Sequence, residues 1–274
     1  MKIALAQINT THDVSANLRK VQEHTETAAD LGAQLVVFPE ATMVGFGGDL
    51  AEAARSHHRE WVTELQWLAA EHEVTIMVGE FGLSEKDDDA RVRNLLAVYT
   101  GQGERYEYAK IHLFDAFGYD ESETVQPGSE PRILTLDGVT VGLSVCYDVR
   151  FPQLYTALAR AGAQVMIVAA SWGAGEQKAD QWRVLTRARA LDSNAVVVAV
   201  GQADPAVSGE AVHPTAPTGV GHSLVASPFG EVLAELGGAE ELRVVEIDLS
   251  MVQQAAEKLP VLANAVEIRL PHHP

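Results

Sequence analysis

A single cysteine, Cys146, occurs in the 274 residues of the chain. No disulfide can therefore form within it, which fits a reducing compartment such as the cytoplasm. Long apolar runs are also missing: none reaches the roughly 20 residues that a membrane-spanning helix needs. The opening MKIALAQINTTHDVS has one early lysine and a short apolar run, without a long h-region or an A-x-A cleavage site, so no signal peptide is expected. Basic residues are scarce, with 20 Lys and Arg against 38 Asp and Glu, a formal net charge of −18 at pH 7. That balance argues against nucleic acid or an anionic membrane as partner, either of which requires a basic face. The stretches Gly45-Phe46-Gly47-Gly48 and Gly173-Ala174-Gly175 fall short of a dinucleotide fingerprint, and no P-loop is present. His57-His58 lacks metal-ligand spacing, and the closing Pro271-His272-His273-Pro274 is too short to read as a metal site. No cofactor and no metal are expected.

Hydrophobic residues make up 47% of the chain, enough for a large core. Apolar runs predict strands over Lys2–Ile8, Gln34–Phe38, Val74–Gly79, Leu95–Thr100, Arg132–Leu136, Val139–Val145, Val165–Ala170, Ala195–Val200 and Ser223–Ala226, with later ones at Glu231–Leu236 and Val244–Ile247. Asp137-Gly138 signals a hairpin between two of them. Val14, Leu18 and Val21 repeat at helical spacing behind a capping Asp13, and Trp61, Leu65 and Leu68 do the same. Pro152 opens a helix carrying Leu154 and Leu158, and a longer helix runs from about Ala179 to Asn194. The last helix follows Ser250, with Gln253 at capping-box spacing, and stops at Pro260. Strands alternating with helices and hairpins, without linker, repeat or low-complexity tract, predict one α/β layered domain over 1–274 with a mixed sheet.

Cys146 stands where the strand Val139–Val145 meets a sharp turn and then the helix opened by Pro152. That layout lifts a nucleophile to the carboxyl edge of a sheet, near backbone N–H groups able to hold an oxyanion. A nearby helix N-terminus would also favour the reactive thiolate. A lone cysteine can equally be a small core residue. Glu40 lies just past the run Leu35–Phe38, and Lys110 sits in Tyr108-Ala109-Lys110-Ile111-His112 after the strand Leu95–Thr100. Open α/β sheets bind ligands beyond the carboxyl ends of their strands, so Glu40 and Cys146 can meet there, with Lys110 joining from its loop. A carboxylate, a fixed cation and a thiol make an acyl-transfer set. Trp172, ending the strand Val165–Ala170, can line a substrate pocket or belong to the core. His112, two residues from Lys110, can orient the lysine's loop.

The segments LVVFPE (35–40), YAKIHLFD (108–115) and GLSVCYDVRFPQL (142–154) resemble the three signature blocks of the nitrilase, or carbon–nitrogen hydrolase, superfamily. The similarity continues through ASWG (170–173), QWRVLTRARALDSN (181–194) and GHSLVASPFGEVLAEL (221–236), and so covers nearly the whole chain. The resemblance implies an αββα sandwich with mixed β-sheets, usually dimerised. It implies Cys146 as nucleophile, Glu40 as general base and acid, and Lys110 as the stabiliser of the tetrahedral oxyanion, with the backbone N–H of Tyr147 as a second donor. It also implies a second glutamate before a Pro-Gly pair, which Glu121 matches, with Glu123 the alternative two residues on. The Cys-Tyr-Asp block with Arg150-Phe151-Pro152 is most similar to ω-amidases and deaminated-glutathione amidases, although Gln181 precedes Trp182 where these relatives often have histidine. The expected reaction is hydrolysis of a small ω-carboxamide to acid and ammonia through a thioester. A nitrilase or N-carbamoyl amidohydrolase, or a non-catalytic binding protein on the same scaffold, are the alternatives.

Overall fold

The computed structural model describes residues 1–86, 88–209 and 216–268; the closing 271–274 stretch lies outside the described residues. In chain order the elements are β1 (Lys2–Gln7), α1 (Val14–Asp30), β2 (Leu35–Val37), α2 (Leu50–Ser56), α3 (His58–Glu71), β3 (Thr75–Leu83), β4 (Val92–Tyr99), β5 (Arg105–Ala109), β6 (Asp115–Ala116), β7 (Tyr119–Asp120) and β8 (Val125–Gln126). There follow β9 (Arg132–Leu136), β10 (Val139–Val145), α4 (Pro152–Arg160), β11 (Val165–Ala170), α5 (Lys178–Ser193), β12 (Val196–Gly201), α6 (Pro205–Ser208), β13 (Leu224–Ala226), β14 (Val232–Glu235), β15 (Glu241–Glu246), α7 (Ser250–Lys258) and α8 (Val261–Asn264). Among the described residues no helix is long and apolar enough to cross a membrane.

Two mixed sheets result. One runs β15-β1-β2-β3-β4-β5, with β8 also paired to β4; the other runs β14-β13-β12-β11-β10-β9. Each has a parallel heart, β1-β2-β3 in the first and β10-β11-β12 in the second, flanked by antiparallel strands. Side-chain alternation along each strand then decides the layers. Ile3, Leu5, Leu35, Val37, Leu96 and Val98 turn inward and pack with Val141, Leu143 and Val145 of the other sheet. The intervening Ala4, Ala6, Val36, Phe38 and Val78 turn outward against Val21 and Ala28 of α1 and Trp61 and Leu65 of α3. The second sheet is covered in the same way by Leu154 and Leu158 of α4 and Trp182 and Ala190 of α5. The result is a four-layer α–β–β–α sandwich, in which each buried aliphatic side chain contributes roughly 1.5–3 kcal/mol.

Some local expectations change. The strand β5 escapes the hydrophobic pattern because Arg105-Tyr106-Glu107-Tyr108-Ala109 is an edge strand with half-buried, charged positions. Lys110 therefore stands in a loop, as expected, but one that leaves directly from the end of this additional strand. The capping box at Ser250 does not form: Asp248 accepts from the Ser250 backbone N–H at 2.9 Å and from its hydroxyl at 2.8 Å, while Gln253 bonds to Glu257. At Asp137-Gly138 both residues have positive φ, 48° and 81°, as a tight two-residue hairpin requires.

Candidate active site

The parallel strands β2 and β10 end at one edge of the sandwich, and the polar residues of interest follow them. Glu40 comes three residues after β2, Cys146 directly after β10, Ser171 directly after β11 and Lys110 directly after β5. All four side chains are buried. Together with Glu121, Phe46, Phe114, Tyr147, Arg150, Trp172 and Lys178 they line one narrow cavity.

Lys110 is the hub. Its Nζ lies 2.9 Å from Glu40 Oε1 and 2.7 Å from Glu121 Oε2. Glu121 Oε1 is a third acceptor at 3.0 Å, so both carboxylates take up the ammonium's donors, and Lys110 lines the cavity beside them. Glu40 Oε2 accepts the backbone N–H of Ser171 at 2.8 Å. Glu121, in the 3₁₀ turn Glu121–Glu123, also accepts the backbone N–H of Phe114 at 2.7 Å. Cys146 opens a 3₁₀ turn, Cys146–Arg150, with a left-handed backbone at φ 48°, and its Sγ points at the carbonyl of Ser171 at 3.8 Å. Such a strained position at a strand end presents the side chain to the cavity.

The electrostatics follow from burial. Desolvation pushes the Cys146 thiol well above its ordinary value, and the adjacent Glu40 carboxylate adds to the rise as charge and as hydrogen-bond acceptor. A helix N-terminus would favour the thiolate, whereas burial and the neighbouring carboxylates favour the neutral thiol here. Glu40 is raised above 4.5 by burial, with Lys110 pulling it down and Glu121 pushing it up. Lys110 stays a cation: burial alone would lower it, but Glu121 and Glu40 hold it well above the ordinary lysine range.

Asp148 braces the nucleophile's turn. It is buried and accepts from the backbone N–H of Val145 at 2.9 Å, the Tyr108 hydroxyl at 2.7 Å and His112 Nδ1 at 2.7 Å. His112 stacks on Phe151 at 3.7 Å and does not line the cavity, so it belongs to this brace beside the lysine's loop and not to a substrate-binding wall. Glu123 lines a separate cleft with Gly47 and Asp49, leaving Glu121 as the glutamate at the cavity. Trp172 and Tyr147 both line the cavity. Sequence reasoning missed Asn94, whose Nδ2 bonds to Glu40 Oε1 at 2.7 Å and Glu121 Oε1 at 3.0 Å. The available signal was a polar residue opening the apolar run 95–99.

Two glycines press against this framework. A Cβ on Gly79 of β3 would lie 2.5 Å from the Pro39 carbonyl and 2.6 Å from Glu40 Cα; one on Gly128 would lie 2.2 Å from the Ala109 carbonyl, beside Lys110. Gly79→Ala must therefore displace the Glu40 backbone. A 1 Å misplacement is worth about 100-fold in rate, and such overpacking costs about 1–3 kcal/mol. The expected result is a variant that melts lower and turns over about 100-fold more slowly; wild-type rates from Gly79→Ala in steady-state assays would contradict the contact.

The sequence pattern of the carbon–nitrogen hydrolase family matches residues 2–257. A protein of Mycobacterium tuberculosis described as a hydrolase is 48% identical over 97% of this chain and 96% of its own length. A deaminated glutathione amidase of Synechocystis is 31% identical over 96% of this chain and 97% of its own. The crystal structure of Saccharomyces cerevisiae Nit3, a member of the nitrilase superfamily, superposes with a TM-score of 0.81 at 26% identity, covering 95% of this chain and 94% of that one.

Proposed function

The chain belongs to the carbon–nitrogen hydrolase family, and from that premise we propose that it is an amidase, converting a small ω-carboxamide to its acid and ammonia at Cys146. The convergence of Glu40, Lys110 and Cys146 on one buried cavity carries this reading. Because the thiol is neutral at rest, attack must be coupled to proton removal, and Glu40, raised by burial, is a base of suitable strength. As sulfur bonds to the carbonyl carbon, its proton passes to Glu40. The oxyanion is held by the charge of the Lys110 ammonium, which lines the cavity and can turn one N–H from the two-oxygen contact with Glu121, and by the backbone N–H of Tyr147, near the start of its 3₁₀ turn; such a donor is worth about 3–4 kcal/mol. Glu40 returns the proton to nitrogen, the C–N bond breaks and ammonia departs, leaving a thioester. Water then attacks, giving its proton to Glu40, and collapse of the second tetrahedral intermediate frees the acid and the thiol. Glu121 keeps Lys110 charged and oriented throughout.

The mouth of the cavity points to an acyl part that bears a carboxylate. In a chain of net charge −18, two cations, Arg150 and Lys178, line the same cavity as Cys146. Arg150 stacks over Trp172 at 4.9 Å and donates to Gln181 Oε1 at 2.8 Å; Lys178 sits over the Phe117 ring at 4.1 Å. Neither forms an ion pair among the described residues. Burial and the charge of Arg150 lower the Lys178 pKa, a repulsion that an anionic group between them would relieve. Ammonia release should be measured across ω-amides with and without a terminal carboxylate, with nitriles and N-carbamoyl compounds alongside. Arg150→Ala and Lys178→Ala are each expected to raise KM for carboxylate-bearing amides roughly tenfold, as loss of a charge-assisted bond implies, and to leave neutral amides nearly unchanged. Equal losses on both classes would refute the anion subsite, and turnover of nitriles alone would refute the amidase reading. The same reading includes a homodimer, which the resemblance implies and which the exposed Val184 and Leu191 on α5 support, and a reducing compartment suited to the free thiol.

A further inference from the structure

One ammonium, Lys110, serves two buried carboxylates beside a neutral thiol, so the centre holds an excess negative charge whenever both glutamates are ionised. Asn94 is the other donor between them. Its Nδ2 reaches Glu40 Oε1 at 2.7 Å and Glu121 Oε1 at 3.0 Å, the same two oxygens that Lys110 contacts at 2.9 and 3.0 Å. Its backbone carbonyl accepts the N–H of Lys110 at 2.9 Å, so one residue grips all three groups. Asn94 is buried and does not line the cavity. Its Oδ1 is buried without a hydrogen-bond partner, a defect that costs about 1–3 kcal/mol. Turning the amide over would set that oxygen against two carboxylate oxygens, so the glutamates dictate its orientation. Leu96 and Val98, on the same face of β4, pack in the core between the sheets, where an apolar residue would avoid the orphaned oxygen. An asparagine kept with that defect points to the reaction rather than to stability.

We propose that Asn94 is a positioning residue for the reaction: it is the neutral donor that lets two carboxylates share one lysine and holds Glu40 ready to take the proton from Cys146. The inference rests on the Glu40–Cys146 reading given above. A second cation in its place would quench Glu40 as a base, and an apolar residue would leave Glu40 to bind a proton of its own. The groups that face Glu40 are Lys110 from the end of β5, Glu121 from its 3₁₀ turn, Cys146 after β10, Tyr119 of β7, which feels the Glu40 charge, and the Ser171 N–H after β11. Removing the Asn94 donor leaves these five to set the balance with one donor fewer, and Glu40 then ionises at higher pH.

The test compares wild type with Asn94→Leu and Asn94→Ser in kcat, KM and the pH profile of kcat/KM, after confirming that alkylation of Cys146 stops the wild-type enzyme. For Asn94→Leu, kcat should fall about 100-fold, the lower range for a general base, with KM within about threefold. The acid limb should move up by roughly one pH unit. Asn94→Ser, whose hydroxyl restores one donor, should recover part of both. If Asn94→Leu does not fold, the serine variant decides: a raised limb supports the role. An acid limb at the wild-type pH in every folded variant, or a loss confined to KM, overturns it. A wild-type enzyme that survives stoichiometric alkylation brings down the Glu40–Cys146 reading and this inference together. Alkylation that kills the enzyme, combined with an unmoved limb, brings down the inference alone.

Discussion

Cys146→Ala is expected to abolish turnover, by at least about 10⁴-fold on every amide the wild type hydrolyses. No other residue can take over, because the chain holds one thiol and covalent catalysis needs a nucleophile at that point. The loss should come without unfolding. Cys146 is small, and alanine meets the same backbone at φ 48° with no worse strain. The substitution also removes a group whose burial disfavours its ionised form. A melting temperature near wild type together with absent ammonia release, followed continuously in a coupled assay, is the predicted combination. Residual turnover at a few per cent of wild type would show that the sulfur is not the attacking atom.

Lys110→Met should be as damaging to rate and far more damaging to stability. The oxyanion loses its cation, which predicts a kcat lower by about 10³-fold. At the same time Glu40 and Glu121, both buried, lose the ammonium at 2.9 and 2.7 Å. Breaking a buried pair from one side costs about 3–5 kcal/mol. The pH dependence has a definite sign. Burial already raises Glu40 above its unfolded value of 4.5, and Lys110 is the group pulling it back. Without Lys110 the folded pKa rises further, so the variant's stability is fully present below about 4.5 and is lost as pH climbs through the new folded value. Urea melts of both proteins from pH 4 to 8 should therefore diverge toward high pH. Adding Glu121→Gln to Lys110→Met should return part of the stability and none of the rate. Parallel melting curves at all pH values would contradict the charge account.

What could be read from the sequence follows the physics of each residue. Glu40 and Cys146 stand directly beyond strongly apolar runs, so their places at a sheet edge were visible from hydrophobic pattern alone, and Lys110 lay in a block resembling a known family. A layered α/β domain also followed, since β2, β11 and β12 are apolar on both faces, while the four-layer sandwich came only with the family resemblance. Asn94 was hidden because nothing local distinguishes it from a strand-end polar residue; its meaning exists only when Glu40 and Glu121 arrive from 54 and 27 positions away. Gly79 and Gly128 were hidden for the same reason, as a close backbone approach is a property of the pair and not of the glycine. Asp148 lay within a signature block, yet its four bonds join β10, β5 and the His112 loop, contacts that no periodicity encodes. The burial that favours the protonated thiol was hidden as well, because it is a tertiary quantity.

The central claim is a covalent acyl group on Cys146, and intact-protein mass spectrometry of an acid-quenched reaction reads it directly. Mixing enzyme with a slowly turned-over carboxylate-bearing ω-amide should give a species heavier by the acyl group less one hydrogen. Digestion should place it on the peptide containing Cys146, and Cys146→Ala should lack it. Ammonia release at full rate with unmodified protein at every quench time, or an adduct on any other residue, would contradict the account.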